Sequence, residues 1–294
     1  MQLTRMDLDG PGSPEGLVAL ILKLEKDFPC PTPIEALCAQ LDITKIERLE
    51  SSGFEGALIT DQTRSQGIVL VNGKALQVRQ RFTIAHELGH FLIPMHMPDA
   101  EGRFVCSRED MARLTAKEGD RRARMEVEAN RFAGLILIPP PLLRAQKALR
   151  SVPDLQHVPQ LARVFDVSKE AMARAYSTYH PEPVAILVTH QGRMVRAYRD
   201  TTRFPFIHVG ANAPIPSSSL YFSPKLDQGV ASEARECDPE LWLSPMRDRR
   251  ILTLTEQVMP QRDQWGLLML HATLSDEEED QEEQGLTDRW TPRF

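Results

Sequence analysis

Apolar and polar positions follow two periods along this chain, and the changes between them divide it into elements. Between Glu15 and Phe28 apolar residues return every three or four positions, as on a helix with one buried face. Ser13-Pro14-Glu15 supplies an N-cap, a proline for the first turn and an acidic residue behind it. A short helix is expected over Pro33–Leu41, then strands over Ile43–Leu49, Gly56–Thr60 and Gly67–Val71, the last (GIVLV) the most apolar. The helical period returns over Leu76–Ile93, where Ile84, Leu88, Phe91 and Leu92 share a core-facing stripe that Pro94 ends. Met95–Arg124 is polar and charged and reads as a loop with a short helix. Met125–Ile138 is a strong helix stopped by Pro139-Pro140-Pro141, and Leu142–Leu149 is a further short one.

Val158–Tyr179 has a helix-turn-helix texture, with Leu161, Ala162 and Phe165 on a first helix, Val167-Ser168 as turn and N-cap, and Ala171–Tyr179 as the second. From Pro183 the period is two: Val184–Thr189 and Met194–Arg199 read as a hairpin about Gln191-Gly192, and Ile251–Gln257 and Gly266–Thr273 as further strands. The pattern predicts an α+β chain: a flexible arm over 1–13, a first domain over 14–150, a helical segment over 151–181, a C-terminal α+β domain over 182–275 and a tail over 276–294.

Composition narrows the class. The 294 residues are 41% hydrophobic and 26% charged, as in a globular protein. The net charge of −6 argues against a surface that grips nucleic acid throughout, and much of it sits in Asp276–Glu283, which reads as a solvated, disordered tail. No apolar run spans a membrane and the N-terminus lacks a signal-peptide pattern, so a cytoplasmic protein without membrane contact is expected. The four cysteines, Cys30, Cys38, Cys106 and Cys237, are widely spaced and read as buried or free thiols.

Candidate chemistry lies in Ala85-His-Glu-Leu-Gly-His90. On a helix His86 and His90 are one turn apart on one face and can give two imidazole nitrogens to one zinc ion. Glu87, about 100° around the helix, can reach a water at such a metal and serve as general base. A catalytic zinc takes three protein ligands. His96 stands at the metzincin spacing, but that pattern needs glycine at position 93, where this chain has Ile93. The other source is Arg124–Ala133: Glu126 and Asn130 are four apart, so a carboxylate could bind the metal and an amide could support a ligating histidine. Glu126's stripe runs on to Ala133 and Leu137 and faces inward; Glu128 shares a stripe with Arg124 and Arg131 and reads as an ion-paired surface residue. The expected set is therefore His86, His90 and Glu126 on zinc, Glu87 as base and Asn130 behind them, a gluzincin arrangement that manganese would also suit. His96 is expected as a loop histidine beside the cleft. Tyr176, Tyr179, His180 and His96 remain candidates for an oxyanion donor, and Gly67–Val71 for an edge that pairs with an extended peptide.

RFTIAHELGHFL followed by EVEANRFAGLILIP resembles the ImmA/IrrE metallopeptidase family, over roughly Ile43–Pro139. The resemblance implies a zincin-like fold, zinc on His86, His90 and Glu126, and Glu87 as catalytic base. More weakly, residues 158–180 and 183–274 are similar in order and size to a helix-turn-helix-like segment and a GAF-like domain found in regulators of the family. It also implies a substrate, a helix-turn-helix (XRE-type) repressor whose cleavage releases stress-response or mobile-element genes. The second helix of 158–180 offers only Lys169 and Arg174 as basic residues, so a packing or repressor-docking role is expected over DNA reading. The competing class is a non-proteolytic regulator using the peptidase fold and helical segment as binding modules. The pattern leaves oligomeric state open.

Overall fold

The computed structural model describes residues 3–50, 54–113, 115–223, 225–245 and 250–275. The acidic run expected as a disordered tail lies outside them. The chain divides into two units, Met1–Leu143 with Ala162–Ala171, and Arg144–Leu161 with Met172–Phe294. The architecture is mixed α and β, and no described helix is long and apolar enough to cross a membrane.

The first unit starts with α1 (Pro14–Leu24) and α2 (Ile34–Gln40). Ser13 Oγ accepts from Gly16 N at 3.1 Å, so the N-cap forms where the sequence places it. The helix ends at Leu24, short of the expected Phe28. Glu25 leaves helical backbone, and its carboxylate takes the Leu3 N–H at 3.0 Å. The stretch expected as a loose arm is thereby held: Arg5–Leu8 forms a 3-10 turn, and Leu3 and Leu8 are buried.

A four-stranded sheet follows, from β1 (Ile43–Leu49), β2 (Gly56–Thr60), β3 (Gly67–Asn72) and β4 (Arg103–Cys106), in the order β1-β3-β2-β4. β1 and β3 run parallel, and the other two pairings are antiparallel. Two expectations change here. β3, read as a possible free edge, is interior, flanked by β1 and β2, which suits its apolar sequence. The edge near the motif is β4, inside the stretch read as a loop; its burial alternates, with Phe104 and Cys106 inward and Arg103 and Val105 exposed.

On this sheet lies α3 (Gln77–Leu92), in contact with β2, β3, α2 and α4 (Arg121–Leu137). Every residue from Thr83 to Leu92 is buried, polar ones included, so the second half of α3 is a core helix covered on all sides. Its C-terminal end is bound by Arg64 from the β2–β3 loop, whose guanidinium donates to His90 O at 3.3 Å within the helix and to Ile93 O at 2.8 Å and Pro94 O at 3.0 Å just past it. A cation there also complements the negative end of the helix dipole. α4 begins a turn before the expected Met125, because Asp120 caps it by accepting from Ala123 N at 2.9 Å.

α5 (Pro140–Ala145), α6 (His157–Phe165) and α7 (Lys169–Tyr179) follow, and Ser168 Oγ caps α7 by accepting from Ala171 N at 3.1 Å. The second unit holds β5 (Val184–His190), β6 (Arg193–Arg199), β7 (Arg235–Glu236), β8 (Ile251–Pro260) and β9 (Trp265–Leu274), in one antiparallel sheet of order β6-β5-β9-β8-β7. Its core gathers Leu187, Trp242, Leu254, Val258, Leu268 and Leu270. Among the described residues of 182–275 the helical part expected of an α+β domain is reduced to 3-10 turns.

Arg64→Ala removes the cap of the helix that carries the motif. The expected outcome is a loss of about 1–2 kcal/mol in denaturant unfolding, with the unfolding slope unchanged.

Candidate metal centre

α3 presents His86 and His90 one turn apart, and α4 brings a carboxylate to them. His86 Nε2 and His90 Nε2 are 3.0 Å apart, and Glu126 Oε2 lies 3.2 Å from the first and 3.6 Å from the second. The two helices approach at Gly89, where a Cβ would stand 3.1 Å from Phe132 Cδ1 and 3.3 Å from Ala129 Cα.

The hydrogen-bond partners of the two rings decide what their Nε2 atoms carry. Asn130 Nδ2 donates to Asp110 O at 2.9 Å and Arg113 O at 3.0 Å, which turns Oδ1 toward His86 Nδ1, 2.9 Å away. His86 Nδ1 must then donate, leaving a lone pair on Nε2. Behind His90 the chain is longer: its Nδ1 faces His96 Nδ1 at 3.0 Å, and His96 Nε2 donates to Glu128 Oε2 at 3.0 Å. Burial drives the His96 pKa down, so a neutral His96 uses Nδ1 as acceptor, and His90 donates to it. Burial likewise lowers the His90 pKa, to about 3. Both Nε2 atoms therefore aim lone pairs at one point, where Glu126 adds a carboxylate.

Glu126 resists protonation there. Burial alone would raise its pKa; protons or positive charge on the facing edges of His86 and His90 outweigh that and lower it, and where those edges present lone pairs a metal cation takes that place. Its Oε2 is buried with no hydrogen-bond partner. Three electron-pair donors facing one another without a proton to share is unfavourable unless a cation lies between them. A metal about 2.0–2.1 Å from each nitrogen or oxygen in a tetrahedral site needs donor–donor separations of about 3.3–3.4 Å. The observed 3.0–3.6 Å brackets that value, so the residues fit a metal ion.

Glu87 is fully buried, and neither of its carboxylate oxygens has a hydrogen-bond partner. Burial, then the nearby Glu126 charge, push its pKa well above the ordinary carboxylate value. β2 crosses α3 here through Gly56, where a Cβ would be 2.3 Å from Thr83 Cγ2 and 2.8 Å from Glu87 Oε1. Across the ladder from Gly56 stands Cys106, and two residues before it Phe104 stacks on His90 with ring centroids 4.8 Å apart.

The structure thus gathers His86, Glu87, His90, Glu126 and Asn130, and it adds three residues to them. His96 is a loop residue, as expected, but it is fully buried behind His90, because its ring bridges His90 and Glu128. Glu128, read as a surface residue, is the far end of that bridge. Cys106, read as an ordinary buried thiol, shares a cluster with His86, His90 and Glu126 in which the ligand atoms all lie within 4.8 Å of one another. The other oxyanion candidates lie in the second unit, Tyr176 and His180 with their polar groups engaged there. Tyr176 Oη binds Asp154 N at 3.3 Å and His157 Nδ1 at 3.0 Å, His180 Nε2 binds Ser151 O at 3.2 Å, and the Tyr179 ring lies under the Arg144 guanidinium.

Glu126→Ala removes a donor and is expected to abolish stoichiometric binding of a divalent metal. Asn130→Ala and His96→Ala remove only the groups that fix the rings and should weaken binding about 10–100-fold while keeping one site, read by competition with a chromogenic chelator.

Comparison with known proteins agrees with this chemistry. Residues 44–177 match the Peptidase M78 family, described as the IrrE N-terminal-like domain. The radiation response metalloprotease IrrE of Deinococcus radiodurans is 30% identical over 130 residues, which are 44% of this chain and 36% of that protein, so the match spans about a third of the relative. Among solved structures, a Mycobacterium tuberculosis transcriptional regulator aligns with 91% of this chain and 73% of its own at 12% identity and a TM-score of 0.43. The matched segment contains every residue of the cluster, and over it the chain is similar to the ImmA/IrrE family.

Proposed function

We propose that this protein is a zinc-dependent endopeptidase that cleaves a protein substrate, and that the substrate is a helix-turn-helix transcriptional repressor whose loss switches on a stress-response or mobile-element gene set. The observation that carries the reading is the pairing of a three-donor cluster with Glu87, a buried carboxylate that has no hydrogen-bond partner. His86, His90 and Glu126 would hold the zinc. Manganese would suit the same three donors. When bound, the metal supplies Lewis acidity, polarising a carbonyl oxygen and making water a nucleophile near neutral pH.

The residues of the chain supply the proton transfers and the positioning. Burial and the charge of Glu126 raise the proton affinity of Glu87, so its carboxylate can take a proton from water and keep it long enough to give it to a leaving amine. Asn130 and the His96–Glu128 pair keep His86 and His90 in the tautomers that the metal needs. The outer edge of β4 pairs with no further strand among the described residues; Asp99 accepts the Arg103 N–H and donates to its C=O, and Arg122 reaches Val105 O, so an extended peptide pairing there would replace those contacts. The name of the Deinococcus relative, a radiation response metalloprotease, supports the peptidase class and a stress setting. The repressor as substrate rests on the family resemblance.

A regulator that only binds would have no use for Glu87, and this separates it from the peptidase. New protein N-termini are compared between cells expressing the protein and cells expressing Glu87→Gln, with and without DNA damage or oxidant. Cleavage inside a helix-turn-helix repressor is expected to disappear in Glu87→Gln, while that variant keeps its metal. Equal sets of N-termini in the two strains would favour the non-proteolytic regulator.

A further inference from the structure

We propose that Cys106 is a fourth ligand of the metal centre, its sulfur filling the position that a hydrolytic metal keeps open, so that the protein folds into a latent state. This rests on the metal-centre reading above and deepens it. Cys106 is fully buried on the inward face of β4, set opposite Gly56 by the β2–β4 register. Its Sγ lies 3.7 Å from His90 Nε2. A metal about 2.0–2.1 Å from a nitrogen and about 2.3 Å from a sulfur holds the two donors about 3.6 Å apart. Relative to His90 the sulfur therefore already stands at the spacing of a co-ligand, and it lies within 4.8 Å of the ligand atoms of His86 and Glu126.

Four protein ligands make a closed site, whereas three leave room for substrate. A sulfur in the fourth place keeps water off the metal. It also stands on the side of the base, because Gly56, its partner across the ladder, is the residue whose Cβ would meet Glu87. One side chain thus blocks both parts of the hydrolytic apparatus. When the sulfur binds, the S–H bond breaks and the thiolate's electron pair goes to the metal. The proton is released from the site as the metal binds. Hydrolysis then requires the sulfur to leave the metal and to take a proton back. A thiolate also selects zinc over manganese, which two imidazoles and a carboxylate do not.

The test uses the full-length, metal-free protein titrated with Co²⁺ and read by absorption. One equivalent should bind and give a near-ultraviolet sulfur-to-cobalt charge-transfer band. Cys106→Ala and Cys106→Ser should lose that band, and a variant with Cys30, Cys38 and Cys237 all changed to alanine should keep it. X-ray absorption at the zinc edge of the wild-type protein should require one sulfur at about 2.3 Å. One bound cobalt without the band, or a zinc spectrum fitted by nitrogen and oxygen alone, would overturn the proposal and leave the metal centre standing. Failure to bind cobalt at all would overturn the centre and the proposal together. Should a cysteine variant not fold, the wild-type zinc spectrum decides alone.

Discussion

The close approach of two helices is the constraint on which the site depends. α3 carries the histidines and α4 the carboxylate, and they share a point only because Gly89 faces Ala129 and Phe132 with no side chain between them. Helices separated by larger residues pack toward the wide end of the usual 8–10 Å range, and the difference is about the length of a metal–ligand bond. The glycine between Leu88 and His90 is therefore as much a part of the centre as the histidines, although it touches no metal. Gly56 plays the same part on the opposite side of α3, where β2 presses on Thr83 and Glu87.

Closeness has an electrostatic cost. Two bare imidazole nitrogens, Glu126 and Glu87 lie in a volume closed to solvent, and the lone pairs of the first three point at one another. The unfolded chain would solvate them separately, so the rest of the unit has to hold them together. The holding groups are identifiable. Arg64 binds the carbonyls at the end of α3 just beyond His90, and Asp110 and Arg113 fix Asn130 through their carbonyls. Phe104 lies flat on His90, and Glu128 anchors His96. A cation placed between the donors turns this repulsion into attraction, which couples metal binding to the stability of the unit.

Much of this was legible before the structure, and the exceptions have a common cause. Both motif helices are long and strongly periodic, so their faces could be read, including the inward stripe of Glu126 and the i, i+4 relation to Asn130. The strands Ile43–Leu49 and Gly56–Thr60 were bounded by pattern alone. What escaped depends on pairing between distant segments. β4 is four residues in a polar stretch and exists only because β2 offers it a ladder, so nothing local marks RFVC as a strand or Cys106 as a neighbour of His90. The bridge from His96 to Glu128 joins residues 32 apart in the chain. In the sequence His96 could be judged only against a zinc-ligand pattern, and Glu128 only against its helical neighbours. The apolar run of Gly67–Val71 did contain a usable signal, since a strand apolar on both faces is more often interior than an edge. In the second unit, where strands alternate with long irregular segments, the pattern found β5, β6, β8 and β9 but gave no account of what lies between them.

β4 is where these lines meet. In four residues it ends the sheet, stacks Phe104 on His90 and sets Cys106 into the donor cluster, while its outer edge carries no further strand among the described residues and is held by Asp99 and Arg122. Side chains of a strand alternate between faces, while its hydrogen bonds lie in the plane of the sheet. A peptide that paired with the outer edge would therefore act on the same short backbone that positions Cys106, without having to enter the core. A strand this short, with one neighbouring strand, offers few ladder bonds to resist such a contact. On the proposed reading, binding at the edge would therefore bear on the place of the sulfur, while the histidines and Glu126 are set by two separate helices.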